Sequence, residues 1–488
     1  MTLRTIHATP RGRRIRLVAA LGVGSLALGL ASCSSDDPDA SSSDEPTSQG
    51  RSTLTIAEQN PPNNMNPALT DANADFVVIS YDALTREEAD GSLSPSLAKS
   101  WELSEGNTKL DLVLRDDVTF SDGTALDAAA VVASLEYARD AGGANASVLE
   151  GAQITSSGAG AVTITVPSPN PMLPTQLSQG WGIGNIISPA GLADPDSLTT
   201  DKPSQGAGPY VYDPAQSVAG DHYTYTARSD YYEASLQYFE EIVIRVISDQ
   251  QTALNAATTG QVDVFVGDYS VAAQAEKAGL ATVSAPTLTL GMLFFDRDGQ
   301  ISEAVGDLKV RQAINYAIDR DSVATALLGE GGLPAVQVFA PDSPPYSQAD
   351  ANAYAYDQAK ARALLAEAGY PDGVTIDVIT AGFAGFDTVA EAIKAQVAEV
   401  GITLNVTIET EGPAWVGAIV SSAYPAGVQG MAVMPPFLEC TQVLLPSAQK
   451  VLSPFGSTNP EIEALCAELG AADPTSDTTA IQQRISAW

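Results

Sequence analysis

Histidine, cysteine and basic residues are scarce in this chain, and each shortage narrows the chemistry available to it. The 488 residues include two histidines, His7 and His222, and three cysteines. A serine or cysteine nucleophile needs a neighbouring base, and a zinc site needs several histidine or cysteine ligands. We therefore predict no catalytic residue, no cofactor and no metal site.

The charge balance is strongly acidic. The chain carries 24 Lys and Arg residues against 59 Asp and Glu residues, which gives a formal net charge of −35. Such a surface repels the phosphates of nucleic acids and the anionic head groups of lipids. The charge therefore argues against nucleic acid as a partner.

Nucleotide-binding signatures are missing as well. No Gly-x-x-x-x-Gly-Lys loop occurs, and Gly206-Ala207-Gly208 lacks the third glycine of a dinucleotide-binding fingerprint and is followed by Pro209. Acidic residues are so numerous that a carboxylate pair of the glycosidase type stays open. A hydrolase is therefore kept as an alternative function.

The start of the chain has the layout of a secretory signal. Arginines precede an apolar run, Leu17–Leu30, which is too short to span a bilayer comfortably. The run ends in Leu30-Ala31-Ser32-Cys33, which resembles a bacterial lipoprotein box. The resemblance implies a signal peptide over residues 1–32 and a lipid on Cys33, while a soluble secreted protein is the alternative.

The part after the signal divides into a tether and a long globular region. Residues 33–52 are rich in Ser, Asp and Pro, which is typical of a disordered tether that holds a folded body off a membrane. The remainder is longer than one hydrophobic core usually serves, so we expect two lobes or more.

Hydrophobic periodicity predicts alternating strands and helices, which indicates an α/β fold. The predicted strands are Thr53–Glu58, Lys109–Arg115, Val162–Val166, Tyr223–Ala227, Ile242–Ile247, Val262–Val266, Val374–Val378 and Ile402–Ile408. The predicted helices are Phe76–Leu84, Asp127–Ala138, Gln250–Thr258, Leu308–Ile318, Asp357–Ala368 and Val389–Val400.

Cys440 and Cys466 both fall late in a chain that is predicted to enter an oxidising compartment. A disulfide between them and two buried free thiols are both compatible with the sequence, because spacing along the chain does not give distance. The two alternatives stay open.

Several further stretches form an ordered set that runs along nearly all of the globular region. They are Tyr81–Leu84, Leu93–Trp101, Leu114–Thr124, Gly206–Tyr210, Gly260–Val264, Val310–Arg320, Ala359–Gly369 and Ser457–Ile462. This set resembles the extracytoplasmic solute-binding proteins of ABC transporters, in the oligopeptide/dipeptide/nickel-binding class known as solute-binding protein family 5. A single stretch is weak support, whereas the ordered set is specific.

The resemblance implies an α/β, two-lobed periplasmic-binding-protein fold of type II, with an extra small α+β domain and a hinged cleft between the lobes. Lobe I would comprise residues 53–84 and 171–275, the small domain residues 85–170, and lobe II residues 276–488. The sequence ends at Trp488 inside a predicted helix, so we expect the family's return segment to lobe I to be missing.

In such a clamp the ligand lies between loops that face the cleft. Aromatic rings there supply contact area, and amides and carboxylates orient polar groups. The predicted ligand contacts are Glu58, Gln59, Asn60, Trp181, Trp415, Phe437 and Glu439.

One stretch departs from the family's pattern. Peptide-binding relatives often carry an aspartate that pairs with the ligand's ammonium group, whereas this sequence has Pro436 at that place. Glu439, three residues later, is the acidic residue that can replace it. Nickel-binding relatives often use histidine, and His222 alone offers little for that role.

The predicted function is capture of a small, peptide-like solute by a substrate-binding lipoprotein. The protein would deliver its ligand to an ABC permease, with ATP hydrolysed by a separate subunit. It would act as a monomer on the outer face of the cell membrane, held there by the lipid on Cys33. The alternatives are a secreted lipid-anchored hydrolase and a surface adhesion or signalling lipoprotein.

Overall fold

The computed structural model of this chain describes residues 52–69, 74–267, 269–283, 288–329, 332–337, 339, 343, 345–445, 450–457, 459–473 and 475–486. Its strands are β1 (Thr53–Glu58), β2 (Thr85–Glu87), β3 (Leu93–Pro95), β4 (Ala98–Ser104), β5 (Lys109–Leu114), β6 (Gln153–Ser156), β7 (Ala161–Thr165), β8 (Tyr210–Val218), β9 (His222–Ala227), β10 (Glu241–Val246), β11 (Val264–Phe265), β12 (Leu288–Phe294), β13 (Val374–Ala381), β14 (Ile402–Glu409) and β15 (Ala426–Ala432). Its helices are α1 (Asp75–Val78), α2 (Ala128–Asp140), α3 (Leu173–Gln176), α4 (Pro189–Ala193), α5 (Gln250–Thr258), α6 (Tyr269–Lys277), α7 (Glu303–Gly306), α8 (Leu308–Ala317), α9 (Arg320–Leu328), α10 (Gln358–Glu367), α11 (Phe386–Ala398), α12 (Gly412–Val420), α13 (Pro436–Glu439), α14 (Pro460–Ala471) and α15 (Thr479–Ser486).

The first sheet has the strand order β11-β1-β10-β9-β8. β1 pairs in parallel with β10 and β11, and β9 and β8 extend the sheet as antiparallel strands. Alternate residues of β8 and β9 are tyrosines, and a strand presents every second side chain to the same face. Tyr212, Tyr223 and Tyr225 are therefore buried together, and the Tyr223 ring meets Phe76 edge-on with the ring centres 5.1 Å apart.

An antiparallel sheet of order β4-β5-β7-β6 forms a separate small unit with α2. Leu110, Leu112 and Leu114 alternate along β5 and are buried, as the pattern predicts. The predicted helix beginning after Asp127 is confirmed, since the Asp127 carboxylate accepts a hydrogen bond from the Ala130 amide at its start. β2 and β3 form a two-stranded ribbon nearby.

The third sheet has the order β12-β15-β13-β14, and β13 runs parallel to both of its neighbours. Helix α11 leads from β13 to β14 on one side, and α12 leads from β14 to β15 on the other side of β13. The two helices cover opposite faces, because α11 packs with Val378 and α12 packs with Ile379. This sheet is therefore doubly wound around β13.

The predicted helix over Phe76–Leu84 is wrong in length, because α1 ends at Val78. Backbone groups beyond that point pair with a distant segment: the Gly208 amide donates to the Ser80 carbonyl at 3.0 Å. A Cβ on Gly208 would lie 2.4 Å from the Ser80 carbonyl carbon, so glycine is required for this approach. Long-range pairing thus overrides the local helical pattern.

The last described helices form a cluster around a disulfide. Cys440 and Cys466 form a disulfide, with their Cα atoms 5.6 Å apart. Of the two alternatives that the sequence left open, the structure therefore shows the disulfide and not two free thiols. Ile462, Leu465 and Leu469 of α14 are buried beside this bond. The disulfide therefore ties α14 to the segment that follows β15.

None of the helices in the described ranges is long and apolar enough to cross a bilayer. Cys33 and the predicted signal and tether through residue 51 lie outside the described residues. The three larger sheets have separate hydrophobic cores, and the predicted domain boundaries at residues 85, 171 and 276 remain predictions.

Candidate functional site

The first set of predicted contacts lies at the end of β1. In doubly wound sheets ligands bind outside the carboxyl ends of the parallel strands, where the connections diverge. β1 occupies such a place between β10 and β11. Glu58 is its last residue, and Gln59 and Asn60 follow it, half-buried and exposed respectively. These three residues therefore stand at the edge where a ligand is expected.

The carboxyl groups of Glu58 and Asp75 interact at this edge. Burial, and then the Asp75 charge and hydrogen bond, raise the pKa of Glu58 to about 8. Burial also raises the pKa of Asp75, while the hydrogen bond from Glu58 lowers it. Burial raises the pKa of both carboxyl groups, and the proximity of the two favours a pair that shares one proton and carries one negative charge instead of two.

An aromatic cluster lies at the carboxyl edge of the third sheet. Phe383 follows β13, and its ring meets that of Trp415 on α12 edge-on, with centres 5.9 Å apart. The ring centre of Phe386 lies 6.3 Å from that of the same indole. The Trp415 Nε1 atom is buried and has no hydrogen-bond partner among the residues that the structure describes. Ala384, between the phenylalanines, has φ 54, a strained backbone of the kind that concentrates at binding sites.

Phe437 lines a cavity of about 180 Å³ that lies between two distant parts of the chain. One wall consists of Pro171 and Met172, which follow the small antiparallel sheet in the chain. The facing wall and the rim are Pro435, Pro436, Phe437, Leu469, Ala472, Asp473, Ser476, Thr478 and Gln482. An engineered apolar cavity of about 150 Å³ in another protein binds benzene, so this one has room for a single apolar side chain.

Glu439 lies on the same short helix, α13, and is only 4% exposed. Burial raises the pKa of its carboxyl group to about 7. The Oε2 atom has no hydrogen-bond partner within the described part of the chain. Because a buried charge without a partner is costly, Glu439 is suited to pair with a cationic group that arrives with a ligand.

Trp181 lies apart from these residues. It ends a single 3₁₀ turn, Gln179–Trp181, and packs against the core of the small antiparallel sheet. The Asn145 side chain donates to its carbonyl at 2.8 Å. The cavity beside it measures about 40 Å³, which is room for a few water molecules. Phe437 and Glu439 are thus brought together on one helix, whereas Trp181 and Trp415 belong to different cores.

Sequence reasoning missed Asp75, Pro171 and Met172. Asp75 opens a helix that the periodicity had already indicated, but nothing in its pattern points to Glu58. The run Pro167-Ser-Pro-Asn-Pro171 does signal an exposed loop. Its position opposite Phe437 follows only from the tertiary fold.

The described residues around the histidine do not offer a metal site. His222 lies at the surface, with its Nδ1 atom 2.7 Å from Asp221 Oδ2. Over the described ranges, no three His, Cys, Asp or Glu side chains are grouped so that they could hold a metal ion.

Comparison with known proteins identifies the family. The model of the bacterial extracellular solute-binding proteins, family 5 middle, matches residues 92–441. The nickel-binding periplasmic protein of Escherichia coli (strain K12) is 28% identical over 371 residues, which are 71% of this chain and 69% of the relative. The glutathione-binding protein GsiB of Escherichia coli O1:K1 / APEC is 28% identical over 343 residues, which are 68% of this chain and 64% of that relative's length.

Solved structures show the same fold. DppA from Helicobacter pylori, in complex with the peptide STSA, gives a TM-score of 0.67 at 20% identity over 89% of this chain and 90% of that one. The predicted two-lobed binding-protein fold is confirmed by this likeness. The family model covers well over half of the sequence. The chain therefore belongs to the bacterial extracellular solute-binding proteins of family 5.

Proposed function

We propose that this protein captures a peptide-like solute outside the cell membrane and delivers it to the permease of an ABC importer. The observation that carries the proposal is the family match over residues 92–441. Relatives in the comparison are binding proteins, so the task of this chain is binding, with ATP hydrolysed by a separate subunit. The hydrolase and adhesion alternatives gain no support from the comparisons.

Two features near the disulfide support a ligand that has an apolar part and one cationic group. The cavity beside Phe437 has a partly apolar lining and the size of one side chain, so it would hold part of a ligand and leave the rest in the cleft. The buried Oε2 atom of Glu439, which has no hydrogen-bond partner within the described part of the chain, suits an ammonium or guanidinium group. A short peptide carries both parts, and the GsiB relative is named for glutathione, a tripeptide with a free ammonium group.

The ligand would be enclosed by hinged closure of the two lobes. Lobe I comprises residues 53–84 and 171–275 in this proposal, the small domain residues 85–170, and lobe II residues 276–488. In this division Met172 and Phe437, which line the same cavity, belong to different lobes. Ligand contacts on both sides shift the population toward the closed state.

The protein would be held at the outer face of the cell membrane by a lipid on Cys33. The lipoprotein-like box that ends in Cys33 supports this placement, as does the polar tether that follows it. A single lipid chain gives only marginal membrane binding, so a diacylated cysteine is the expected anchor. We propose a monomer as the working form.

The ligand class is tested by mass spectrometry of molecules that co-purify with the full chain. A thermal-shift series with tri-alanine, reduced glutathione and Ni²⁺ with L-histidine accompanies it. We expect a peptide to raise the melting temperature in a concentration-dependent way. A response to the nickel complex alone would contradict the peptide proposal, and recovery of a converted product would contradict a pure receptor.

Phe437→Ala tests the cavity. The substitution removes the apolar wall that a ligand side chain would contact, so we expect the dissociation constant for tri-alanine to rise about tenfold. Phe455→Ala is the matched control, since Phe455 is half-buried in a different cluster around Phe295. Equal affinities for the two variants would remove Phe437 from the site.

A further inference from the structure

The turn between β4 and β5 has an unusual backbone. Glu105, Gly106 and Asn107 are all left-handed, with φ values of 53, 65 and 64. Two of the three are not glycine, so the turn stores strain that the surroundings must offset. Asn107 is only 4% exposed, although it sits at the tip of a hairpin.

The side chain of Asn107 reaches across to the end of α14. Its Nδ2 atom donates to the Gly470 carbonyl at 2.9 Å and to the Ala472 carbonyl at 2.7 Å. The last carbonyl groups of a helix have no partner within the helix itself, and the last turn of α14 has no basic side chain. A hairpin of the small antiparallel sheet therefore caps a helix of the C-terminal cluster.

The capped end of α14 belongs to the Phe437 cavity. A Cβ on Gly470 would lie 3.3 Å from Phe437 Cε2 and 3.7 Å from Pro169 Cβ, so the helix end is pressed between the two walls. Leu469 and Ala472 line the cavity on either side of Gly470.

Further bonds tie α14 to the segment that carries the site. The disulfide from Cys466 joins the helix to Cys440, which directly follows Glu439. α15 packs on α14, and its Ser486 hydroxyl donates to Gln337 Oε1 at 2.7 Å, beyond α9. The helix would thus move with lobe II, while Asn107 stays with the small domain.

We propose that Asn107 is a positioning residue that latches the two walls of the ligand cavity in the closed state. This inference rests on the proposed function, since it assigns the latch to the same cavity. The two hydrogen bonds join the hairpin to α14 as the structure has them, so a movement of lobe II away from the small domain would break both and an arrangement that keeps the contact is stabilised by them. Their loss shifts the population toward the open state and shortens the time that a ligand stays bound.

Asn107→Gly is the informative variant. Glycine accepts the left-handed backbone without strain, so the fold is kept while the amide donors are removed. Asn107→Asp is the second variant, because a carboxylate of the same shape cannot donate to the two carbonyl groups. Asn405→Ala is the matched control, since Asn405 makes one exposed hydrogen bond to Asp377 on the third sheet.

The distance between the two walls is measured by double electron–electron resonance spectroscopy on the full chain. The unnatural residue p-acetylphenylalanine is introduced in place of Glu102 and of Glu468, which are both exposed, and each copy is then spin-labelled. We expect the ratio of open to closed protein to rise about tenfold in both Asn107 variants, the effect of losing one to two net hydrogen bonds. The control should match the parent chain, and tri-alanine should dissociate faster from the Asn107 variants.

A purely structural cap would have a different signature. Melting temperature would fall in the Asn107 variants while the label distances stayed at the parent values, and that result would overturn the latch. If the distances shift as expected but no peptide raises the melting temperature, the latch stands and the peptide function fails. Label distances and melting temperatures measured on the same variants therefore test the latch and the peptide function independently.

Discussion

The carboxyl groups of Glu58 and Asp75 are hydrogen-bonded to each other at the end of β1, and their burial favours one proton shared by the pair at the edge where a ligand is expected. The pair offers a donor and an acceptor side by side, as the ends of a peptide backbone require. It also makes the stability of this part of the protein depend on pH.

Glu58→Gln should remove that pH dependence. The pKa of Glu58 is raised from 4.5 to about 8 in the folded chain, so the native state holds the proton more tightly than the unfolded state. The resulting stability is complete below pH 4.5 and is lost as pH rises through about 8. Because the group is partly solvated, we expect Glu58→Gln to gain about 1–2 kcal/mol over the parent chain at alkaline pH. The measurement is the melting temperature across the pH range.

The control for this prediction is Glu102→Gln, on the exposed side of β4. Its melting curve should follow that of the parent chain at every pH. A Glu58→Gln profile that still falls as strongly between neutral and alkaline pH would show that the carboxyl pair is not the source.

Ligand binding should release a proton from Glu439. Burial holds the pKa of this group at about 7, and a cation beside it favours the ionised form. At pH 6, which is below that pKa, the ammonium group of a peptide must displace the proton from Glu439, so affinity rises with pH until about 7. Calorimetry with tri-alanine in buffers of different ionisation enthalpy measures this release. Glu439→Gln should bind more weakly and release no proton.

Glu468→Gln is the matched control for Glu439, because Glu468 is an exposed acid on the neighbouring helix α14. Its binding heats should match those of the parent chain in every buffer. Equal proton release from Glu439→Gln and Glu468→Gln would remove Glu439 as the counter-charge.

Trp415 should tolerate phenylalanine better than alanine. The indole packs against Phe383 and Phe386, so Trp415→Ala leaves a cavity and should cost about 3 kcal/mol. Its buried Nε1 atom has no partner among the described residues, so Trp415→Phe loses no hydrogen bond and should cost less than about 1 kcal/mol. Denaturant unfolding followed by fluorescence of the remaining tryptophans checks both values. Equal losses would show that the indole nitrogen is bonded after all.

Replacing Cys440 and Cys466 together by serine should destabilise the C-terminal cluster. The disulfide closes a loop across a sequence separation of 26 residues, for which chain entropy gives about 3–4 kcal/mol. Limited proteolysis should then cut first within α14 and α15, while the sheets stay protected. Cleavage at the same rate in the parent and the double variant would contradict a stabilising role.

Individual strands and helices could be predicted from the sequence because hydrophobic alternation and helix caps depend only on residues close together in the chain. Alternating Leu110, Leu112 and Leu114 marked a strand, and Asp127 marked a helix start through its side-chain cap. The ordered family stretches indicate the solute-binding fold from the sequence alone, and the family model agrees. The helix predicted through Leu84 failed because Ser80 found a backbone partner far away in Gly208.

The site depended on long-range proximity, which periodicity does not encode. Glu58 and Phe437 were predicted as ligand contacts from the sequence because they stand next to strand ends and turn formers, and these assignments remain predictions. The pairing of Glu58 with Asp75, the approach of Met172 to Phe437 and the bonds from Asn107 to Gly470 needed the folded chain. Composition and pattern decide which groups can be buried or charged, whereas only the packing of separate segments decides which of them meet.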